Sequence, residues 1–344
     1  MRWRDGRLAR PPGGDARRST NTLCPPWLRI LMTTAAGHPP TAPPLFSPWS
    51  ALPPEYAIPD HAPSEAEARE YCRRLARSHY ENFSVASWFL PAHLRQHFYN
   101  VYAYCRIADD LADEVDDSAT SLQLLDQWET ELGACYAGRA RHPVFVALAE
   151  TVHKFEIPKH EFADLLTAFR QDQSISRYET FNDVLGYCRY SANPVGHLVL
   201  YLCGYRDCER QQLSDATCTA LQLANFWQDV SADFAKGRIY LPLEDLRRFG
   251  VSEEAIREGE NTSAFREMLK FEVERAREWF KQGVPLIAKV DRALATDIEL
   301  FSRGGQEILK AIEGQHHAVL GRRPAISKSR KLALVARAAL GKLR

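Results

Sequence analysis

Acidic, basic and aromatic side chains recur at helical spacing over residues 102–114. Those spaced four, three and four residues apart share one face of a helix: Tyr102, Arg106, Asp109 and Asp113. Asp109 and Asp113 then present carboxylates one turn apart, with Asp110 beside them. Such like charges repel one another unless a hard cation binds them, and Mg²⁺ uses one or two carboxylates together with substrate phosphates. The alternative is a solvated acidic surface, which the neighbouring aromatic and apolar residues disfavour.

A second oxygen-rich face follows over residues 222–233. Its amides and carboxylates are spaced three, four and four residues apart: Gln222, Asn225, Asp229 and Asp233. Lys236, Arg238 and Tyr240 come soon after it, and the two cations suit a pyrophosphate leaving group through charge-assisted hydrogen bonds. The alternative is a buried helix with a basic C-terminal end, which the helix dipole favours in any case. Two such faces in one chain favour a clamp for a metal-bound diphosphate.

Helices must position both faces, and apolar residues spaced three and four apart predict them along most of the chain. The predicted helices cover residues 92–115, 120–137, 143–155, 159–171, 180–203, 212–235, 262–281, 284–312 and 328–342. Ser64 and Glu67 form a capping box ahead of a further helical pattern. No run of alternating β-branched residues indicates a strand. We therefore predict one all-α domain over residues 64–325.

The two flanking segments differ from this domain. Thirteen of the 20 prolines precede residue 64, so residues 1–63 are predicted to form a disordered Pro/Arg-rich segment. The first 31 residues are rich in arginine and indicate a targeting segment, a passive tail or an untranslated stretch before Met32. Residues 326–344 are predicted to form a basic amphipathic helix. It either packs on the domain or rests on an anionic membrane, the inner face of the plasma membrane.

Composition excludes several classes of protein. Lys and Arg together number 44, as do Asp and Glu, and this zero net charge argues against a nucleic-acid binder. The eight cysteines form no C-x-x-C pair and indicate free thiols in a reducing, cytoplasmic compartment. No apolar run reaches the roughly 20 residues that span a bilayer. No G-x-G-x-x-G motif follows a predicted strand, so we expect no NADPH site of that kind.

The same residues resemble the squalene/phytoene synthase family, the head-to-head prenyl transferases, over residues 75–325. The matching motifs lie at residues 79–83, 109–114, 187–196, 222–233 and 238–242. Within the family the chain is most similar to the HpnC type, a bacterial hydroxysqualene synthase of hopanoid-linked squalene formation. The resemblance implies a single-domain isoprenoid synthase (terpenoid synthase) fold, with helices around a central cavity.

The resemblance also implies a reaction and its cofactor. A lyase or transferase of this type converts presqualene diphosphate to hydroxysqualene and releases diphosphate, with three Mg²⁺ ions between the two acidic faces. A separate presqualene diphosphate synthase would supply this prenyl diphosphate substrate. A separate reductase would complete the formation of squalene, so no NADPH is expected here.

The resemblance and the spacing together define three sets of site residues. The catalytic set is Tyr187, Asp109, Asp113, Asp229 and Asp233. The substrate-binding set is His79, Phe83, Tyr102, Arg106, Gln222, Lys236, Arg238 and Tyr240. The metal-binding set is Asp109, Asp110, Asp113, Asn225, Asp229 and Asp233. For Tyr187 and Tyr240 the alternative is a buried tyrosine with a satisfied hydroxyl, and for Arg106 it is a surface ion pair.

Two departures from the family pattern bear on the reaction. Many condensing members read Val-Ala-Gly-x-Val-Gly at residues 191–196, and here Pro194 is expected to kink a helix that is continuous elsewhere. Many also carry Arg in place of Gln228, so a diphosphate-binding cation is missing and one large substrate is favoured over two. Two alternatives stay open: a condensing enzyme that makes presqualene diphosphate, squalene or phytoene, and a non-catalytic isoprenoid-binding subunit.

Overall fold

The computed structural model describes residues 49, 52–78, 91–327, 329–334 and 336, and α-helices make up most of them. They are α1 (Glu65–Ser78), α2 (Arg95–Asp113), α3 (Ser118–Tyr136), α4 (Pro143–Phe155), α5 (Lys159–Asp172), α6 (Phe181–Ser191), α7 (Asn193–Leu202), α8 (Cys208–Ala235), α9 (Leu243–Phe249), α10 (Glu253–Arg257), α11 (Ser263–Gly283) and α12 (Arg292–Gly314). The 3₁₀-helices are Pro54–Tyr56 and Val284–Lys289. Within the described residues there is no β-strand, only an isolated bridge between Arg177 and Ile239. The predicted all-α class is confirmed.

Most of the predicted helices lie within a few residues of the observed bounds. The capping box at α1 is present, because the Ser64 N–H donates to the Glu67 carboxylate at 2.9 Å and the Glu67 N–H to Ser64 Oγ at 3.4 Å. The predicted helix over residues 284–312 is wrong as a single unit. It divides where the Asp291 side chain accepts hydrogen bonds from the first N–H groups of α12, which starts a new helix. The short helices α9 and α10 escaped prediction because periodicity needs a longer window.

The predicted helix over residues 180–203 breaks at Ala192, whose φ is −121° and ψ is −47°. Pro194 stands in the first turn of α7, where its missing N–H removes no intrahelical hydrogen bond. The expected kink is therefore a complete break between α6 and α7. Beyond it, α7 runs close to α8: a Cβ atom on Gly196 would lie 2.2 Å from Ser214 Oγ. Only glycine permits that approach.

Helix α8 runs through the interior of the domain. It has 28 residues, and every residue from Ala216 to Val230 is buried. A helix that is buried all round is a core helix, and α8 packs against α6, α7, α11 and α12. One apolar core joins α1–α5 with α7, and a second joins α6 and α8–α12. The second oxygen-rich face therefore lies inside the protein.

Ordered structure begins earlier than the predicted boundary at residue 64. Leu52 and Tyr56 are only 7% and 4% exposed, and Tyr71 Oη donates to the Glu55 carbonyl at 2.9 Å. These anchors hold residues 52–63 on the domain, although proline-rich sequence around them predicted disorder. The rest of the predicted N-terminal segment, residues 1–48, 50 and 51, lies outside the described residues.

No helix in the described part of the chain is long and apolar enough to cross a membrane. Of the predicted C-terminal helix, residues 329–334 and 336 are helical, and Arg330 forms an ion pair with Glu307 of α12. Residues 328, 335 and 337–344 lie outside the described residues. Contact of this helix with a membrane stays a prediction.

A histidine joins three helices away from the acidic faces. His197 of α7 lies 2.9 Å from Glu161 of α5 through Nδ1 and 2.8 Å from Asp215 of α8 through Nε2. Burial by itself lowers the pKa of His197, but the two carboxylates outweigh it and raise the pKa to about 9. His197 therefore carries its charge at neutral pH and stabilises the packing of α5, α7 and α8.

We expect the His197→Gln substitution to lower the free energy of unfolding by about 2 kcal/mol near pH 6 and by little near pH 10. The folded pKa of about 9 lies above the unfolded value. The stabilisation is therefore complete below the unfolded pKa of about 6.5 and is lost as the pH rises through the folded pKa. Urea unfolding across this range measures the effect. His153→Gln, at an exposed residue of α4, is the matched control. An equal loss at every pH would contradict the charged bridge.

Candidate active site

The C-terminal ends of α2 and α8 meet at one place. Asp113, the last residue of α2, lies 2.8 Å from Lys236 Nζ and 3.3 Å from Arg238 Nη1. Lys236 is the residue at which α8 ends, and Arg238 follows two residues later. The two acidic faces, far apart in sequence, therefore lie close together with two cations beside them. Helical spacing alone could not establish this convergence.

The carboxylates of the first acidic face differ in their neighbours. Asp109 is fully buried and lies 3.8 Å from Arg106. Asp110, predicted to bind metal, accepts hydrogen bonds from Arg106 Nε at 3.0 Å, from Arg106 Nη2 and from Tyr56 Oη at 2.7 Å. Burial raises the pKa of Asp110 to about 6, although Arg106 opposes the shift. Both of its oxygens are engaged by Arg106 and Tyr56, as those of Asp113 and Asp229 are by their own cations, and its role as a metal ligand stays a prediction.

The second acidic face is contacted by a residue from the far C-terminal side. Arg323 donates to both oxygens of Asp229, from Nη2 at 3.0 Å and from Nε. Its Nη2 also donates to Gln228 Oε1 at 3.1 Å. The interpretation that this face lacks a cation because residue 228 is Gln is therefore wrong. Arg323, from a different segment, places its guanidinium beside Asp229 and Gln228. The sequence of the helix alone does not show that segment.

The remaining donors of this face suit a hard metal ion. Gln222 Oε1 and Asn225 Oδ1 are buried and have no hydrogen-bond partner among the described residues. Uncompensated buried amide oxygens are costly, and oxygen is the ligand that Mg²⁺ prefers. In the described residues no three acidic, imidazole or thiol groups are close enough to hold one ion. Mg²⁺ usually takes one or two carboxylates plus water and substrate phosphates, so these residues fit ions completed by a diphosphate. The magnesium set stays a prediction.

Two tyrosines predicted for the site share a carboxylate that was not predicted. Tyr187 Oη donates to Asp172 Oδ2 at 2.8 Å, and Tyr240 Oη donates to Oδ1 at 3.1 Å. Arg238 Nη2 donates to the Asp172 backbone carbonyl at 3.2 Å. Burial raises the pKa of Asp172 to about 6, although Arg238 and the two tyrosines lower it. Arg238 thus lies between Asp172 and Asp113. Burial alone would lower the pKa of its guanidinium, but the two carboxylates outweigh burial and raise that pKa above the ordinary value.

Aromatic rings surround this pair of tyrosines. The rings of Phe226 and Tyr240 stack with centroids 3.9 Å apart and an angle of 8° between their planes. Tyr178 stacks on the same Tyr240 ring at 5.7 Å, and Tyr187 lies 5.4 Å from it. Trp227, the residue after Phe226, is fully buried in the core formed by α8. The faces of aromatic rings favour positive charge, so this group suits a cationic reaction intermediate.

An apolar cavity, with about 700 Å³ of empty space that includes its opening to solvent, lies against the N-terminal half of α8. The residues that line it are Phe98, Val195, Gly196, Val199, Leu200, Ser214, Thr217, Cys218, Leu221, Leu286, Leu294, Asp297, Ile298 and Phe301. Leu221 borders the cavity and Gln222, the next residue, begins the oxygen-rich face. At 1.5 Å per residue, Leu221 and Asp229 are about 12 Å apart along the helix. One helix therefore serves an apolar compartment and a polar one.

The other predicted site residues have these positions. Gln222, Asn225 and Asp233 accompany Asp229 on α8, and all four are at most 7% exposed. Tyr102, buried on α2, lies one turn before Arg106. His79 and Phe83 lie outside the described residues, so their predicted contacts with substrate stay predictions.

Two residues of the site carried no sequence signal that helical spacing detects. Asp172 ends α5, and its tyrosine partners are 15 and 68 residues further along the chain. Arg323 lies near the end of the predicted domain, in residues 315–325, which show no helical periodicity. The Arg322-Arg323-Pro324 sequence offered one clue, because proline between a basic pair and an apolar residue favours an extended segment.

Two oxygen-rich helix faces that meet beside basic residues, with an apolar cavity along one of the helices, define an all-α class that binds apolar diphosphates. A sequence model of the squalene/phytoene synthase family matches residues 76–330. The chain belongs to this family.

Individual relatives agree with this assignment. The 15-cis-phytoene synthase of Synechocystis sp. is 31% identical over 281 residues, which cover 78% of this chain and 83% of the relative. The crystal structure of squalene synthase HpnC from Alicyclobacillus acidocaldarius is 45% identical, with a TM-score of 0.71 over 79% of this chain and 99% of that chain. A dehydrosqualene synthase solved with a ligand is 27% identical, with a TM-score of 0.73 over 80% and 96%. The protein is therefore an enzyme of the prenyltransferase type that acts on prenyl diphosphates, and the non-catalytic alternative is set aside.

Proposed function

We propose that the enzyme converts presqualene diphosphate to hydroxysqualene with release of diphosphate and with Mg²⁺ as cofactor, in the formation of squalene and hopanoids. The observation that carries this proposal is the 45% identity with squalene synthase HpnC over 99% of that chain. The break between α6 and α7 adds support, because the family resemblance associates a continuous helix there with condensing members. The absence of an arginine at position 228 does not support the proposal, because the guanidinium of Arg323 lies beside Gln228.

Departure of diphosphate begins the reaction: the C–O bond breaks and the leaving group takes the electron pair. Groups that bind the departing diphosphate more strongly than the ester accelerate this step. Lys236, Arg238 and Arg323 lie beside the carboxylates and suit the phosphate oxygens through charge-assisted hydrogen bonds. The proposed magnesium ligands are Asp109, Asp110, Asp113, Asn225, Asp229 and Asp233. Mg²⁺ bound there would neutralise charge on the leaving group.

The aromatic group and the apolar cavity act on the cation that remains. The rings of Phe226, Tyr187 and Tyr240 favour positive charge, and Asp172 holds both tyrosine hydroxyls in place. The cavity binds the isoprenoid chain and keeps most water away from the cation. After the cyclopropylcarbinyl cation rearranges, one water molecule adds to it and loses a proton, which gives the alcohol.

Product analysis with two substrates tests the proposal. Purified protein and Mg²⁺ are supplied with presqualene diphosphate or with farnesyl diphosphate, and lipids are extracted. We expect hydroxysqualene and inorganic diphosphate from the first substrate and no product from the second. Product from farnesyl diphosphate alone would overturn the proposal. Adding the separate presqualene diphosphate synthase should then restore turnover of farnesyl diphosphate, and adding a reductase should convert the alcohol to squalene.

A second candidate function is head-to-head condensation of two prenyl diphosphates. The observation in its favour is the 31% identity with a 15-cis-phytoene synthase over 83% of that protein. This candidate predicts that an allylic diphosphate supplied alone is joined to a second copy of itself. The same assay, repeated with geranylgeranyl diphosphate, therefore separates the two candidates.

Narrowing the cavity is expected to weaken binding of the lipid without affecting the diphosphate. Val199 lines the cavity, so Val199→Phe should raise KM for the C30 substrate about tenfold, because roughly one or two methylene equivalents of apolar burial are lost. Affinity for inorganic diphosphate with Mg²⁺, measured by calorimetry, should stay the same. Val284→Phe places the same change at a residue that is 51% exposed and serves as control. An unchanged KM in Val199→Phe would place the lipid elsewhere.

A further inference from the structure

Residues 318–327 form a non-helical segment, here named the strap, that contacts the C-terminal half of α8 at Gln228, Asp229 and Ser231. Asn261 holds it at Leu320, donating to the Leu320 carbonyl at 2.9 Å and accepting from its N–H at 3.1 Å. The Gly321 N–H donates to Ser231 Oγ at 3.2 Å. Val319, Leu320 and Ile326 are buried in the same apolar core as α8. The strap is therefore anchored on both sides of Arg323 by contacts that do not involve the acidic faces.

Gln228 binds the strap at the two residues where it passes the second acidic face. Its Nε2 donates to the Pro324 carbonyl at 2.6 Å, and its Oε1 accepts from Arg323 Nη2 at 3.1 Å. The side chain is only 3% exposed. Because one end of an amide donates and the other accepts, the carbonyl and the guanidinium fix its orientation. Gln228 therefore ties the backbone of the strap and the Arg323 side chain to the same point on α8.

Arg323 is a long side chain that would otherwise be free to move on the strap. Its guanidinium donates to Asp229 through Nε and Nη2. The further hydrogen bond from Nη2 to Gln228 fixes the orientation of the guanidinium plane. A guanidinium that is already oriented loses less conformational entropy when a second anion reaches it. The charge of Arg323 faces the acidic face where the diphosphate is proposed to bind.

We propose that Gln228 is a positioning residue, which holds Arg323 so that its guanidinium supplies diphosphate-binding charge at the second acidic face. This inference rests on the proposed function only in requiring that Mg²⁺ and diphosphate bind between the two faces. It reverses the expectation from sequence, in which Gln228 marked the loss of a cation. The amide acts through Arg323 and has no contact of its own with the substrate.

Calorimetric binding of inorganic diphosphate with Mg²⁺ tests the inference on the full chain. Gln228→Met keeps the length of the side chain and removes both hydrogen bonds, and we expect about tenfold weaker affinity. Arg323→Ala should weaken it at least as much. In the Arg323→Ala background, Gln228→Met should change the affinity by less than about twofold, because the amide acts through the missing guanidinium. Gln211, like Gln228, is on α8, and its amide donates to Tyr201 Oη of α7; Gln211→Met should leave the affinity unchanged.

The outcomes separate the two proposals. Wild-type affinity in Gln228→Met, or an equal loss with and without Arg323, would overturn the positioning role. Absence of diphosphate binding in the wild-type protein would instead overturn the proposed function. If Gln228→Met does not fold, Arg323→Lys provides the test: lysine keeps the charge but cannot contact Asp229 and Gln228 with a planar fork. We expect about fivefold weaker binding there, and wild-type affinity would overturn the inference.

Discussion

Replacing Asp229 with asparagine is expected to lower kcat/KM for diphosphate release by about 10³-fold or more. Asparagine has almost the same shape but lacks the charge that a hard cation needs. Loss of one metal-binding carboxylate removes several kcal/mol of stabilisation from the departing diphosphate, and each 1.4 kcal/mol is about tenfold in rate. Calorimetry should show correspondingly weaker Mg²⁺-dependent binding of inorganic diphosphate. Treatment of the wild-type enzyme with a chelator should likewise abolish turnover, and added Mg²⁺ should restore it.

This substitution also breaks an ion pair, and the control must account for that. Asp229 is 4% exposed at its side chain and pairs with Arg323, so the neutral variant leaves a partly buried guanidinium without its partner charge. Thermal unfolding should therefore be measured first, and affinities compared at a temperature where the variant is folded. Asp126→Asn neutralises a carboxylate that is 71% exposed and bonded to Arg170, and it should retain full activity. A folded Asp229→Asn enzyme with undiminished turnover would refute the metal assignment.

Replacing Asp172 with asparagine is expected to lower kcat about 10²-fold, although Asp172 was absent from the predicted site. Its two oxygens each accept from a tyrosine hydroxyl, whereas asparagine offers one acceptor oxygen. Either Tyr187 or Tyr240 must then turn away from its present position, and a displacement of about 1 Å in a catalytic group costs about 10²-fold. Affinity for inorganic diphosphate should not fall, because Arg238 loses a competing negative charge.

The tyrosine connection is tested by combining substitutions. If Asp172 acts by orienting Tyr187 and Tyr240, the Asp172→Asn substitution should have little further effect on kcat when both are phenylalanine. Asp164→Asn, two turns earlier on α5 and partly exposed, is the matched control. A full additional loss of kcat in the background without the two hydroxyls would contradict the positioning role of Asp172.

The parts of the site that follow helical spacing were predictable, because they depend on local geometry. Asp109, Asp113, Asn225 and Asp229 lie on faces whose positions follow from 3.6 residues per turn. Asp110 shows the limit of this reasoning. It is as acidic as Asp109 in the sequence, but one residue turns the helix by about 100°, and at that angle it meets Arg106 and Tyr56.

The parts that were not predictable depend on contacts between distant segments. Nothing in residues 222–233 indicates that Arg323 would reach Asp229, or that Asp172 would join the tyrosines. Buried carboxylates must be paired, and many residues of opposite charge or with hydroxyl groups could have met them. Only packing of the helices decides which do. The same holds for residues 52–63, where Leu52 and Tyr56 are anchors that proline-rich sequence conceals.

Helix α8 borders the apolar cavity at Leu221 and carries the carboxylates of Asp229 and Asp233. The distance between the cavity and these carboxylates is therefore fixed by one continuous helix. Inserting one residue between them would turn the acidic face by about 100° away from α2, so the distance cannot be adjusted gradually along this helix. Relatives that accept longer or shorter isoprenoid chains would have to change the opposite walls, on α7, the 3₁₀-helix Val284–Lys289 and α12. Selection for new chain lengths should therefore leave α8 unchanged and accumulate substitutions on those three elements.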